Sequence, residues 1–133
     1  MNLEIFDAKV TDIEAGALVL LAFEMKEGES DLRSEVLNSV DQACGGLVRE
    51  LYRNGEFRGK ALETVLLHRV YGLGSPRVLI VGCGNRDRLT PALAGKAAAT
   101  AVRALKGKSI LDATLVLDKD VAQEANITEV ACG

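Results

Sequence analysis

The 133-residue chain is 48% apolar and 26% charged, a balance that supports one folded domain over residues 1–133 and excludes both disorder and a miniature fold dependent on disulfides. Sixteen Lys and Arg against nineteen Asp and Glu leave a net charge of −3, so no global positive field draws the chain to nucleic acid or anionic lipid. Aromatic residues are only 4%, with no Trp, and the core has to be built from Leu, Val, Ile and Ala in closely spaced layers.

Leu3, Ile5 and Val10 alternate loosely and predict a first strand; Ala17 to Phe23 is a continuous apolar run and predicts a second, central one, buried on both faces. That run is far short of the roughly 20 residues that cross a bilayer, so no membrane span is expected. The opening residues carry Glu4, Asp7 and Lys9, unlike a signal peptide, and the expected location is cytoplasmic. After an acidic loop from Glu24 to Asp31, the apolar positions Leu32, Val36, Val40, Ala43, Leu47 and Leu51 recur every three or four residues and predict one long amphipathic helix. Gly45 and Gly46 inside it each cost roughly 1 kcal/mol relative to Ala, and close approach of helix backbone to sheet is the expected compensation. Asn54 and Gly55 end the helix.

Thr64 to Val70 and Arg77 to Val81 are β-rich runs joined by a Gly- and Pro-containing segment, predicting neighbouring antiparallel strands. Thr90 and Pro91 open a helix that runs to about Lys106, with Leu93, Ala97, Ala101, Ala104 and Leu105 on its inner face. Ile110 to Leu117 predicts another strand and Val121 to Cys132 another helix. That last pattern stops without a cap, so the chain is expected to be either a piece cut from a longer polypeptide or the product of a truncated gene. Strands alternating with helices in this order predict a three-layer α/β fold, a mixed central sheet with helices on both faces.

The chemistry-bearing residues give little. Gly82, Cys83 and Gly84 follow a strand as a dinucleotide loop would, but position 87 is Asp where that fingerprint needs Gly; a plain turn is the expectation. Gly59 and Lys60 precede Ala61, so no phosphate loop is formed. His68 is the only histidine, and alternation sets it beside Leu66 and Val70, favouring a structural place. Asp112, Asp118 and Asp120 lack the spacing of a cation loop and are expected to be solvated loop acids. Cys44, Cys83 and Cys132 fit neither a disulfide framework nor a metal pair and are expected as reduced, mostly buried small hydrophobes. Arg49, Arg53, Arg58 and Lys60, with Arg69, Arg86 and Arg88 elsewhere, are interleaved with Glu50, Glu56, Glu63 and Asp87, which favours a mixed, solvated surface over a nucleic-acid patch. No nucleophile elbow occurs.

Several pieces in order resemble the amino-terminal domain of the leucyl (cytosol) aminopeptidase family. The run ending in Phe23 and Glu24 resembles its early buried strand, and Leu37, Asp41, Gly45, Gly46, Leu47 and Leu51 its long helix. Gly55, Phe57, Gly59, Lys60, Glu63 and Thr64, leading into Leu66, Leu67 and His68, resemble its Gly-x-x-x-Gly-Lys segment. Arg77 through Gly84, with Leu89 after it, resembles its next strand and turn, and Ala97 to Lys106 its Ala-rich helix. The resemblance runs from about Ala17 to Leu117. It implies a macrodomain-like fold and structural roles for Gly45, Gly46, Gly55, Gly59, Lys60, Gly82 and Gly84. It also implies a separate carboxy-terminal catalytic domain, holding two divalent metals of the zinc or manganese class, that removes amino-terminal residues from peptides.

The family's Asn-Thr-Asp-Ala-Glu-Gly-Arg metal segment and its catalytic Lys region have no counterpart here. The resemblance therefore implies a domain with no catalytic, cofactor-binding or metal residue of its own. Its implied partners are the catalytic domain of the same polypeptide and the other subunits of a homo-oligomer, a hexamer in the family. Two other classes remain: a free-standing macro-like nucleotide-binding module, and a nucleic-acid-binding accessory domain using the Arg49 to Lys60 region.

Overall fold

The continuous apolar run becomes β2, Ala17–Ala22, with all six residues buried. In the computed structural model, which describes residues 2–5, 10–26 and 31–124 (residues 2–5 and Glu124 by backbone alone), this strand is the centre of a five-stranded sheet. The other strands are β1 (Asn2–Ile5), β3 (Thr64–His68), β4 (Arg77–Gly82) and β5 (Ala113–Leu117), in the spatial order β1-β5-β2-β4-β3. The pairs β1 with β5, β5 with β2 and β2 with β4 are parallel, and β3 closes one edge antiparallel to β4. The expected mixed sheet with an antiparallel neighbour is observed.

Alternation along β2 divides the core in two. Val19 and Leu21 join Leu79, Val81, Leu115 and Leu117 under the helix α3 (Pro91–Gly107) and the short α4 (Lys119–Glu124). Leu18 and Leu20 join Val78, Ile80 and Val116 under α1 (Glu35–Ala43) and α2 (Leu47–Arg53). Helices cover both faces, giving three layers. The buried stripe of α3 is Ala94, Ala97, Ala98, Ala101 and Leu105, turned slightly from the expected face, since Leu93 and Ala104 are only half-buried. Thr90 caps this helix, its hydroxyl accepting from the Leu93 amide at 3.1 Å.

Several expectations need correction. The one long helix is two, because Gly45 and Gly46 adopt φ of 71° and 91°, a left-handed turn that an α-helix cannot carry. A Cβ on either glycine would meet nothing within 4 Å, so conformation, and not close packing, calls for glycine there. The apolar spacing hid the break because Ala43 and Leu47 keep the helical interval across it. Val10 belongs to a 3-10 turn, Val10–Asp12, outside the strand. The last strand starts at Ala113, three residues later than expected, after Ile110, Leu111 and Asp112. The expected terminal helix is described only over α4; its remainder with Cys132, and residues 27–30 of the acidic loop, lie outside the described residues.

Candidate functional site

Ligands of open α/β sheets gather beyond the carboxyl ends of strands whose connections leave toward opposite faces. Here β2 leads to α1 on one face and β4 to α3 on the other, so the crevice above them is the switch point of this sheet. Two open hollows of about 320 and 460 Å³ lie there, and their polar lining, with Arg33, Asp87, Asp118 and Asp120, is tied up within the protein. Asp118, at the end of β5, is 7% exposed; its carboxylate accepts from the Ser34 hydroxyl at 2.6 Å and the Val36 amide at 2.9 Å. Ser34 in turn caps α1 by accepting from the Leu37 amide at 3.1 Å. An external anion would find these first amides of α1 already taken. Asp118 is thus a buried structural carboxylate and not a solvated loop acid.

Nearby, Arg86 is buried over the Phe23 ring, 5.5 Å from its centroid, and donates to Asp120 at 2.8 Å. Arg33 donates to Asp87 at 2.9 Å and, by that bond and its charge, holds the Asp87 carboxyl below its ordinary value. Asp112 sits at the other end of β5 and accepts from the Gly16 amide at 3.0 Å, so the three aspartates do not converge. Among the described residues no three His, Cys, Asp or Glu side chains are placed to share a metal.

Gly82, Cys83 and Gly84 form a strand exit stitched to its neighbours: the Cys83 amide donates to Ala22 O at 2.8 Å and the Gly84 amide to Gly59 O at 2.9 Å. Asp87 keeps its charge against Arg33, as a turn and not a phosphate cradle would. Burial pushes the Cys83 thiol up to about 12 against the pull of Arg86, whereas half-buried Cys44 is raised by burial and by Asp41. At pH 9 Cys83 should therefore carry a roughly 500-fold smaller thiolate fraction than an ordinary thiol. Its alkylation by iodoacetamide should be at least about 100-fold slower in the folded chain than in urea. Equal rates in the two states would refute the burial. The folded state holds this proton more tightly, so the associated stability is complete below about pH 9 and is lost as pH rises toward 12.

His68 is not a core histidine. It is exposed at the end of β3, and Arg69 at φ 56° breaks the alternation that placed it with Val70, which turns to the α1 side.

A second concavity, an open groove of about 530 Å³, lies beside β2 on the α2 side. The segment after β2 contributes Glu24, Met25 and Lys26; α2 contributes Arg49, Tyr52 and Arg53; and the loop before β3 contributes Arg58 and Lys60. The loop's position follows from two glycines. A Cβ on Gly59, at φ 77°, would stand 2.3 Å from Phe23 O, and one on Gly82 would stand 2.1 Å from Lys60 O. Glu63 then turns its carboxylate to the backbone, accepting from the amides of Arg58 and Lys60 at 3.1 Å each. On the opposite wall the Tyr52 hydroxyl donates to Phe23 O at 2.6 Å while its ring meets Phe57 edge-on at 5.5 Å. Burial and the Glu63 charge push the Tyr52 phenol up, so it stays a donor. Asp41, buried, holds Arg49 by a backbone bond of 2.9 Å and an ion pair of 2.5 Å.

The four basic residues singled out in the sequence line one groove, together with Lys26 and Glu24. Of the four interleaved acids, Glu63 accepts from backbone amides, Asp87 pairs with Arg33 at 2.9 Å and with Lys26 at 3.9 Å, and Glu50 and Glu56 are exposed. Nothing in the sequence marks Lys26, which is 23 positions before Arg49 in the numbering; Tyr52, one helical turn from Arg49, carries the one readable signal.

Residues 19–133 match the N-terminal domain of the cytosol aminopeptidase family. A probable cytosol aminopeptidase of Acidobacterium capsulatum is 33% identical over 112 residues, covering 84% of this chain and 22% of that protein. Another, from Ralstonia nicotianae, is 36% identical over 96 residues, covering 72% and 19%. The chain thus spans about a fifth of the length of the curated relatives it matches. The fold is similar to that of a tomato leucine aminopeptidase mutant, with a TM-score of 0.67 at 19% identity over 100% of this chain and 28% of that one. An Oceanobacillus iheyensis macrodomain mutant gives 0.61 at 12% over 98% and 94%, and the expected macrodomain-like α/β class is observed. Matched span, identities and fold agree, and the chain belongs to the cytosol aminopeptidase family, whose N-terminal domain it represents.

Proposed function

We propose that these 133 residues are the noncatalytic, accessory N-terminal domain of a metal-dependent aminopeptidase that removes amino-terminal residues from peptides in the cytoplasm. One observation carries the reading: the family match spans residues 19–133, yet the chain covers only 22% of a relative named as a cytosol aminopeptidase. On this reading the reacting groups belong to the rest of the polypeptide. Two divalent metals of the zinc or manganese class there would polarise the scissile carbonyl and acidify a bridging water. The part of the described residues is to fold as one unit, with a tightly stitched β2–β4 end, and to offer surfaces to that catalytic domain and to neighbouring subunits of a homo-oligomer such as a hexamer.

The test is an assay of the purified 133-residue chain on leucine p-nitroanilide with added manganese or zinc. No turnover above the metal blank is expected, whereas turnover co-eluting with the chain at a catalytic rate would sink the proposal. A nucleotide in the crevice above β2 is a weaker reading, since Asp118 already holds the amide and hydroxyl that a phosphate would use.

A further inference from the structure

We propose that the groove between α2 and the loop before β3 is a binding site for a small phosphorylated ligand of nucleotide size carrying two or more negative charges. It goes beyond the accessory-domain reading and does not depend on it.

Charge is the first argument. Among the described residues, Arg53, Arg58 and Lys60 are exposed and have no carboxylate within ion-pair distance. A third guanidinium, Arg49, is fixed at the wall by Asp41 and Asn38. The chain as a whole is acidic, at −3, so this concentration of cations is local and not a reflection of composition. One acid, Glu24, also lines the groove, and the cations around it leave the lining net positive. Guanidiniums suit phosphate because their planar fork gives two parallel bonds to its oxygens.

Shape is the second argument. A volume of about 530 Å³ lies inside the roughly 300–1,000 Å³ typical of small-molecule sites. Met25 and Tyr52 add apolar surface to the cations, which suits a ligand with a flat or aliphatic body and a charged end. A nucleic-acid strand would need a continuing track of cations and stacking rings; Arg69 and Arg88 do not line this groove.

Preorganisation is the third. Glu63 fixes the Arg58 and Lys60 backbone, and Gly59 packs the loop on the exit of β2. Less ordering cost is then left for binding.

The experiment titrates the chain with ADP, AMP, inorganic pyrophosphate and a short single-stranded oligonucleotide by calorimetry at low salt, with amide chemical-shift mapping alongside. The expected result is saturable binding of ADP and pyrophosphate, with AMP weaker by about 10-fold, and weakening as salt screens the site. Shifts should centre on the amides of Arg53, Arg58 and Lys60. The double variant Arg53→Glu with Arg58→Glu, both on the surface, should weaken ADP binding at least about 10-fold with an unchanged melting curve. Failure of ADP and pyrophosphate to bind at millimolar concentration overturns the proposal, as do shifts centred elsewhere on the sheet. Oligonucleotide binding without ADP binding also overturns it, because the groove would then be a strand track. Should the variant melt early, the shift map on the parent chain decides alone.

Discussion

Replacing Gly82 by Ala should cost on the order of 3–5 kcal/mol of unfolding free energy, among the largest effects of any single methyl group in this chain. The new Cβ would lie 2.1 Å from Lys60 O, 2.7 Å from Gly59 C and 2.8 Å from Gly59 O, all backbone atoms with no rotamer to yield. The loop cannot simply retreat. On its far side Gly59 is already against Phe23 O, and it is tied to β4 by Leu62 N to Gly82 O and Gly82 N to Glu63 O, each 2.7 Å, and by Gly84 N to Gly59 O at 2.9 Å. Relieving the contact means breaking some of these bonds at buried positions, where an unpaired amide or carbonyl costs about 1–3 kcal/mol. Gly95→Ala is the control: it sits within α3, where a Cβ meets nothing within 4 Å, and should stabilise by about 0.5–1 kcal/mol. Urea denaturation of the two variants checks both signs. A Gly82→Ala loss under about 1 kcal/mol would mean that the loop is free to move, and with it Arg58 and Lys60.

What could be read in advance follows from which interactions are local. The run Ala17 to Phe23 announces a strand buried on both faces because every residue in it is apolar, and such a strand has to be central. Thr90 and Pro91 announce a helix start because capping needs only neighbours in sequence. The break at Gly45 and Gly46 was hidden because periodicity reports side-chain spacing and not φ, and the left-handed turn leaves that spacing intact. The groove was hidden for a different reason. Its lining comes from the exit of β2, from α2 and from the loop before β3, and Asp87 meets Arg33 from 54 positions away, juxtapositions settled by tertiary folding; only the bonds of Glu63 to the Arg58 and Lys60 amides are local. Counting acids beside bases along the chain cannot separate a compensated surface from a cationic one. Asp118 illustrates the same limit, since its donors Ser34 and Val36 lie more than 80 positions away.

Asp118→Ala should lose about 3 kcal/mol, because one side chain ties the end of β5 to the start of α1. Hydrogen bonds to a charged partner contribute about 1.5–3 kcal/mol each, and Asp118 accepts two, from the Ser34 hydroxyl and the Val36 amide. Truncation leaves the amide at a helix terminus that has no intrahelical acceptor for it, in a place where water enters poorly, since Ser34 and Val36 are 5% and 2% exposed. Ser34 can still cap Leu37, so α1 should persist and the loss should fall short of unfolding the layer. Asp118→Asn, nearly the same shape, keeps one oxygen for the Val36 amide and offers its NH2 to the Ser34 oxygen, and should lose only about 1 kcal/mol. The pair separates the tether from packing: a cavity effect would spare Asn entirely, and a dispensable contact would leave Ala within about 0.5 kcal/mol of the parent chain. Hydrogen exchange adds a local readout, with the Val36 amide losing protection in the Ala variant before the strands of the sheet do. An exchange pattern that falls uniformly instead would place Asp118 in the global folding unit, and α1 would then owe its seat to the apolar contacts of Val36, Leu37 and Val40 alone.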